Sequence, residues 1–258
     1  MPVSRGLFYS ASEGDNFARP PVVLIHGAGG HHLYWPSQVR RLQGQRVLAL
    51  DLPGHGKSFG TGHQTIEGYA GEVAQFIQSI GLSTAILVGH SMGGAIALEM
   101  ASRNPKRLLG LGLLSTGARL PVAPGILQAA ADPATFDEAV ALLGELSFAP
   151  QTNLALKGSA VARLRETRPS VLHGDLLACD AFDMTARLAD IAVPTAILCG
   201  GEDKMTPPKY SAFLQARIRG ATLEVVRNAG HMVMLEQPDE VAAQIELFVN
   251  GIQYRPGA

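Results

Sequence analysis

The chain has 258 residues, a formal net charge of −1, and 47% hydrophobic against 17% charged residues. That composition fits one large domain with a sizeable core and is too apolar for a disordered chain. The near-zero charge gives no electrostatic case for nucleic acid or an anionic membrane as partner. No apolar run approaches the roughly 20 residues of a membrane span, and no charged-then-apolar leader is seen, so a soluble, cytoplasmic protein is the expectation. Cys179 and Cys199 both sit in apolar surroundings and read as reduced core residues, not a disulfide framework.

In chain order, short apolar runs alternate with helical patterns. Strands are predicted at Gly6 to Ser10, Val22 to His26, Arg46 to Leu50, Thr84 to Val88, Leu109 to Leu114, Thr195 to Cys199 and Thr222 to Val226. Helices are predicted at Gly68 to Ile80, Met92 to Arg103, Pro207 to Arg217 and Pro238 to Val249. Most of the strands are Val, Ile and Leu throughout, as in parallel sheets covered on both faces. The expected class is therefore α/β, with a mostly parallel central sheet of about seven to eight strands and flanking helices. The stretch 119–188 breaks the alternation. Asp132-Pro133 reads as a helix start, followed by apolar residues at helical spacing, and Thr152 and Ser170 are candidate caps of further helices. An insertion this long is expected to be a small helical lid over the carboxyl ends of the strands, with 1–118 and 189–258 forming the core.

Gly89-His90-Ser91-Met92-Gly93-Gly94 directly follows an apolar strand and opens a helix. Ser91 thus falls at the tip of a sharp turn, with glycines two positions to either side where the backbone is crowded. A serine hydroxyl is a weak nucleophile until it is exposed beside a base. Asp203, in the Gly200-Gly201-Glu202-Asp203 loop after one strand, is the candidate acid, with Glu202 an adjacent alternative. His231, in the loop after the last strand, is the candidate base. Acyl transfer also needs amide donors for the developing oxyanion. Met92 N–H at the helix start and Ala28 N–H in the His26-Gly27-Ala28-Gly29-Gly30 loop are the candidates.

With these motifs in order, the chain resembles the α/β-hydrolase superfamily over essentially its whole length. Asp51-Leu52-Pro53-Gly54-His55-Gly56-Lys57-Ser58 resembles the family's turn after an early strand, and Glu236-Gln237-Pro238 resembles the start of its last helix. One leading strand is found where that fold often has a hairpin, which points to seven strands. The resemblance implies a serine hydrolase, most simply a carboxylesterase acting on small apolar esters through an acyl-enzyme, and favours Asp203 over Glu202. A lactonase or carbon–carbon bond hydrolase would use the same triad, although the latter often has asparagine where this chain has His90. A ligand receptor of the same fold is the alternative outside enzymology. Ser91 argues against the dehalogenase and epoxide hydrolase chemistries, which need aspartate there.

Trp35, Phe136 and Met232 are candidate substrate-binding residues, with Tyr34, Met92 and Met234 further wall candidates. His90 is expected to pack below the elbow and His26 to brace the oxyanion loop. His31 and His32 are equally readable as pocket-mouth or solvent-facing residues. Asp51 and Ser58 are expected to stabilise a turn. Arg163, Arg165 and Arg168 are read as a solvated helix face rather than a carboxylate site. The histidines lack metal-ligand spacing and the glycines lack a nucleotide fingerprint, so neither metal nor cofactor is expected, only a small ester or lactone substrate.

Overall fold

The structure is a computed structural model that describes residues 2–14, 19–103 and 105–254. Eight strands form one sheet in the order β1-β2-β4-β3-β5-β6-β7-β8. The leading hairpin pairs β1 (Val3–Ser4) with β2 (Leu7–Ser12) through a turn at Arg5 and Gly6, both at positive φ. This corrects the seven-strand expectation. Two residues are too few to leave an alternating pattern, so β1 has no signature of its own.

From β2 the chain continues antiparallel against β4 (Val47–Leu50), and all remaining pairs are parallel. The inner strands β3 (Val22–Ile25), β4 and β5 (Ala85–His90) are buried along their length. Helices cover both faces, so these strands read as continuous apolar runs rather than alternations. On one face α2 (Ile66–Ser79) and α3 (Met92–Arg103) pack Tyr69, Val73, Phe76, Ile96 and Leu98 against Leu48, Leu50 and Leu87. On the other, α1 (Ser37–Arg40) and, further along, α10 (Pro238–Gly251) place Val39, Val241 and Ile245 over Val22, Leu24 and Ile86.

Between β6 (Leu108–Leu114) and β7 (Thr195–Gly200) lie four α-helices, α4 (Pro124–Ala131), α5 (Phe136–Leu146), α6 (Leu154–Arg165) and α7 (Pro169–Asp180), followed by a short 3-10 helix at Thr185–Asp190. They have a core of their own, built around Ile126, Ala130, Phe136, Val140, Leu143 and Leu172. Their starts differ from those expected. Asp132 terminates α4 and accepts from Ala134 N–H in a turn, and α5 begins at Phe136. Asn153, not Thr152, caps α6, and Thr152 is engaged with Glu236 instead. The helix α7 opens on Pro169 without a side-chain cap. The chain closes through α8 (Pro208–Arg217), the edge strand β8 (Thr222–Val226), the short α9 (Val233–Glu236) and α10.

β3 sits between β4 and β5, so the connections leaving β3 and β5 run to opposite sides of the sheet. That is the switch point at which a crevice opens beyond the carboxyl ends of parallel strands. Among the described residues, no helix is long and apolar enough to cross a membrane.

Candidate active site

Every candidate chemical residue lies at that end of the sheet. Ser91 follows β5 directly and has φ +52°, a left-handed backbone that a non-glycine residue seldom adopts without compensation. The compensation is visible. Ser91 N–H donates to Leu114 O (2.9 Å), and the Thr116 hydroxyl donates to Ser91 O (2.8 Å). The turn is closed so tightly that a side chain at Gly89 would collide with the Gly93 carbonyl, and one at Gly93 with the Ile25 carbonyl. Glycine at both places is a steric requirement of the elbow.

His231, in the loop between β8 and α9, is buried, and its Nδ1 faces Asp203 Oδ2 at 3.0 Å and Oδ1 at 3.2 Å. Asp203 is buried too. It accepts the N–H groups of Met205 (2.9 Å) and Thr206 (2.8 Å) and the Thr206 hydroxyl (2.8 Å). Burial works against its charge, but His231 and these donors prevail and hold the carboxyl below its usual range. Glu202 is half-buried and accepts from the Gln151 amide (2.6 Å), away from His231.

The His231 loop is fixed by a residue whose one mark in the sequence is its place in the Glu236-Gln237-Pro238 motif. Glu236 accepts Gly230 N–H (2.8 Å) through one oxygen, and Ala149 N–H (2.9 Å) and the Thr152 hydroxyl through the other. Met232 N–H donates to Ser147 O (2.9 Å). The histidine loop is thereby tied to the chain between α5 and α6. His90 points beneath it and donates from Nε2 to His231 O (2.9 Å). Complete burial and the neighbouring His231 lower its pKa to about 3, so it is neutral at ordinary pH.

His26 braces the Gly27-Ala28-Gly29-Gly30 loop. Its Nε2 accepts Leu52 N–H (3.0 Å), which leaves Nδ1 to donate to Gly27 O (2.7 Å). Among the described residues, neither Ala28 N–H nor Met92 N–H has an acceptor. Two free amides flanking Ser91, one at a helix start, are what a developing oxyanion requires.

Ser91, His231 and Ala28 share the wall of a cavity of about 240 Å³. The rest of the lining is mainly apolar and comes largely from the inserted helices, with Ile126, Leu143, Val161 and Leu176 prominent. Met232 and Tyr34 also line it. Trp35 and Phe136 do not. Trp35 is fully buried in the core beside β3 and β5, and Phe136 is packed inside the small core of the inserted helices. The side chains of Met92 and Met234 are core residues as well. Size and apolarity suit a core position as well as a pocket wall, and spacing alone does not separate the two.

Asp51 accepts the backbone N–H (2.6 Å) and Nδ1 (2.8 Å) of His32 and the N–H of Lys57 (2.8 Å), while Ser58 Oγ bridges Asp51 O and Phe8 N–H. His31, His32 and Asp51 form the one cluster of metal-ligand type among the described residues. The Asp51 oxygens are already committed to the turn. Arg163 and Arg168 contact backbone carbonyls, and Arg165 pairs with Asp137 (2.7 Å). None of the three lines the cavity. Cys179 and Cys199 are buried free thiols, and burial raises the pKa of each.

A family model described as the alpha/beta hydrolase family matches residues 22–244. A pimeloyl-[acyl-carrier protein] methyl ester esterase of Neisseria meningitidis serogroup A is 30% identical over 256 residues, covering 91% of this chain and 78% of that protein. Among solved structures, a thermophilic esterase superposes with a TM-score of 0.82 at 33% identity, covering 96% of this chain and 95% of its own. The enol-lactonase from Burkholderia xenovorans LB400 superposes with a TM-score of 0.84 at 25% identity, covering 95% and 96%.

Proposed function

Because the chain belongs to the alpha/beta hydrolase family, we propose that it is a serine carboxylesterase cleaving small, apolar carboxylic esters through a covalent acyl-enzyme. One observation carries the reading. Ser91, on a strained elbow, shares an apolar cavity with a buried histidine whose Nδ1 is held by a carboxylate.

In this mechanism His231 takes the Ser91 proton as Oγ attacks the ester carbonyl, and the tetrahedral oxygen settles on Ala28 N–H and Met92 N–H. Collapse expels the alcohol, which takes the proton from His231. Water, deprotonated by His231 in turn, then attacks the acyl-enzyme and releases the acid. Asp203 keeps Nδ1–H pointed at itself, which leaves Nε2 as the base, and stabilises the imidazolium between the two transfers. The inserted helices act as a cap (residues 119–188) whose apolar faces hold the acyl group and exclude water.

Lactonase chemistry is the second reading, and the similarity to the enol-lactonase favours it. A lactone is a cyclic ester, so the same residues serve and only the tether of the leaving alcohol differs. A hydrolysis panel decides between them: p-nitrophenyl esters of two to ten acyl carbons, γ- and δ-lactones, and a ring-fission dienone, with Ser91→Ala as blank. The account expects the short and medium esters to be turned over fastest. Turnover confined to lactones would move the assignment to the second reading. Activity unchanged in Ser91→Ala would end both.

A further inference from the structure

The helix α7 carries a carboxylate that the reaction above does not use. Asp175 is fully buried, and among the described residues three donors converge on it. Tyr69 O–H reaches Oδ1, while Gly29 N–H (2.8 Å) and His55 Nε2 (2.7 Å) reach Oδ2. The other ring nitrogen of His55 faces Pro53 O at 3.0 Å. Both imidazole nitrogens thus face oxygen atoms, and His55 and Asp175 form a fully buried hydrogen-bonded pair. Burial disfavours the charge on His55, but the adjoining carboxylate overcomes it and raises the histidine's pKa. An ion pair taken wholly out of water is a poor source of stability, because desolvation offsets most of its attraction. Its value lies in what it holds.

It holds the oxyanion loop. Gly29 directly follows Ala28, so fixing Gly29 N–H fixes the Ala28–Gly29 peptide, which restrains the Ala28 backbone and through it the adjoining Gly27–Ala28 peptide that carries Ala28 N–H. The opposite side of Gly29 is held as well, by the Thr167 hydroxyl donating to Gly29 O (2.8 Å). Gly29 has φ +61°, and a side chain there would run into Leu164 and Leu172. Both polar groups of this residue and its steric surroundings are therefore supplied by the inserted segment. Neither Asp175 nor His55 lines the cavity that contains Ser91, so neither touches a substrate bound there.

We propose that Asp175 is a positioning residue for hydrolysis. Paired with His55 and Tyr69, its carboxylate locks Gly29, and so aims the preceding Ala28 N–H at the oxygen on which charge develops. The proposal rests on the Ser91 esterase reading and adds that the inserted helices contribute to catalysis as well as enclosing the substrate. An oxyanion donor acts mainly in the transition state, so loosening it lowers kcat and leaves ground-state binding nearly unchanged.

The test compares wild type, Asp175→Asn, Thr167→Val and Thr167→Ser on p-nitrophenyl acetate, butyrate and hexanoate, with circular dichroism as the check on folding. Asp175→Asn is expected to lower kcat on the order of 10- to 100-fold, less than the roughly 100- to 1000-fold cost of removing an oxyanion donor outright, because the donor is loosened and not deleted. KM should stay within about twofold, and the kcat loss should be the same for all three acyl groups. Thr167→Val should lower kcat several-fold, and Thr167→Ser, which keeps the hydroxyl, should retain wild-type kcat. A merely structural role for Asp175 would instead distort the cavity walls and make the loss vary with acyl length or fall on KM. That result, or an Asp175→Asn protein with wild-type kcat, overturns the proposal. Should Asp175→Asn not fold, the Thr167 pair decides, and equal kcat in Thr167→Val and wild type overturns it. A wild-type protein that hydrolyses no ester and takes no fluorophosphonate at Ser91 overturns the esterase reading together with the proposal, whereas an active wild type with unaffected variants overturns the proposal alone.

Discussion

Stability should fall steeply between pH 6.5 and pH 4.5, most of it above the range in which carboxylates titrate. His26 and His90 are both fully buried, and burial lowers the pKa of each to about 3. In the unfolded chain both take up a proton near the ordinary value of about 6.5. Between those limits the unfolded state binds protons that the native state refuses, so their contribution is complete above about pH 6.5 and drains away as pH falls. Each pH unit costs about 1.4 kcal/mol per histidine. By pH 4.5 the pair accounts for about 5 kcal/mol, comparable with the whole stability of a modest domain. His31 is lowered to about 4 but is partly exposed, so solvent screening makes its share smaller. Asp51, Glu99 and Asp203 are all held below the usual carboxylate range, so what they contribute is lost only at still lower pH. His55 is shifted upward, and its contribution is full below pH 6.5 and lost only as pH rises through its folded value, so it does not offset the acid loss. The assay is urea unfolding at half-unit steps from pH 7.5 to 4.5, on wild type and His90→Asn. An asparagine amide can still donate to the His231 carbonyl but does not titrate, so the variant should lose about one proton's worth of slope. A flat profile between pH 6.5 and 5, or identical slopes in the two proteins, would refute the reasoning.

Asp203→Asn should cut kcat by orders of magnitude with the fold retained, since an amide cannot hold His231 in the required tautomer; Glu202→Gln should leave kcat within about twofold, and steady-state kinetics on one ester ranks the two. Gly93→Ala, whose methyl would meet the Ile25 carbonyl, should destabilise by at least about 2 kcal/mol in urea unfolding and abolish turnover. Across short acyl chains, kcat/KM should climb by roughly fourfold per methylene, the equivalent of about 0.8 kcal/mol. It should then drop once the chain exceeds the cavity of about 240 Å³. Leu176→Phe, which narrows the wall, should move that drop to a shorter acyl chain in the same assay.

Much of the architecture was legible because buried parallel strands leave uninterrupted Val, Ile and Leu runs. Val22–Ile25 and Ala85–His90 are examples, and the glycines around Ser91 mark where those runs end. The helix Met92–Arg103 matches its predicted bounds because a steric elbow fixes its start. What the sequence does not reveal follows from the same physics. The strand Val3–Ser4 is too short to carry a period. The starts of α5, α6 and α7 depend on which of several polar residues wins a local hydrogen bond, and Thr152 was diverted to a glutamate 84 positions away. Trp35 and Phe136 went to cores because their side chains are equally suited to a pocket or to an interior. Asp175 could not be read at all. It is one acid on a helix of the inserted segment, and its partners Gly29, Tyr69 and His55 lie 146, 106 and 120 positions earlier in the chain.

The central claim is that Ser91 is the nucleophile, and covalent labelling tests it most directly. The protein is treated with a fluorophosphonate at pH 7.5, the intact mass is measured, and the modified peptide is sequenced by tandem mass spectrometry. The account predicts one adduct per chain, on Ser91, formed at the rate at which esterase activity disappears and absent from Ser91→Ala. A label on any other residue, or full esterase activity in protein whose Ser91 is completely modified, would contradict it.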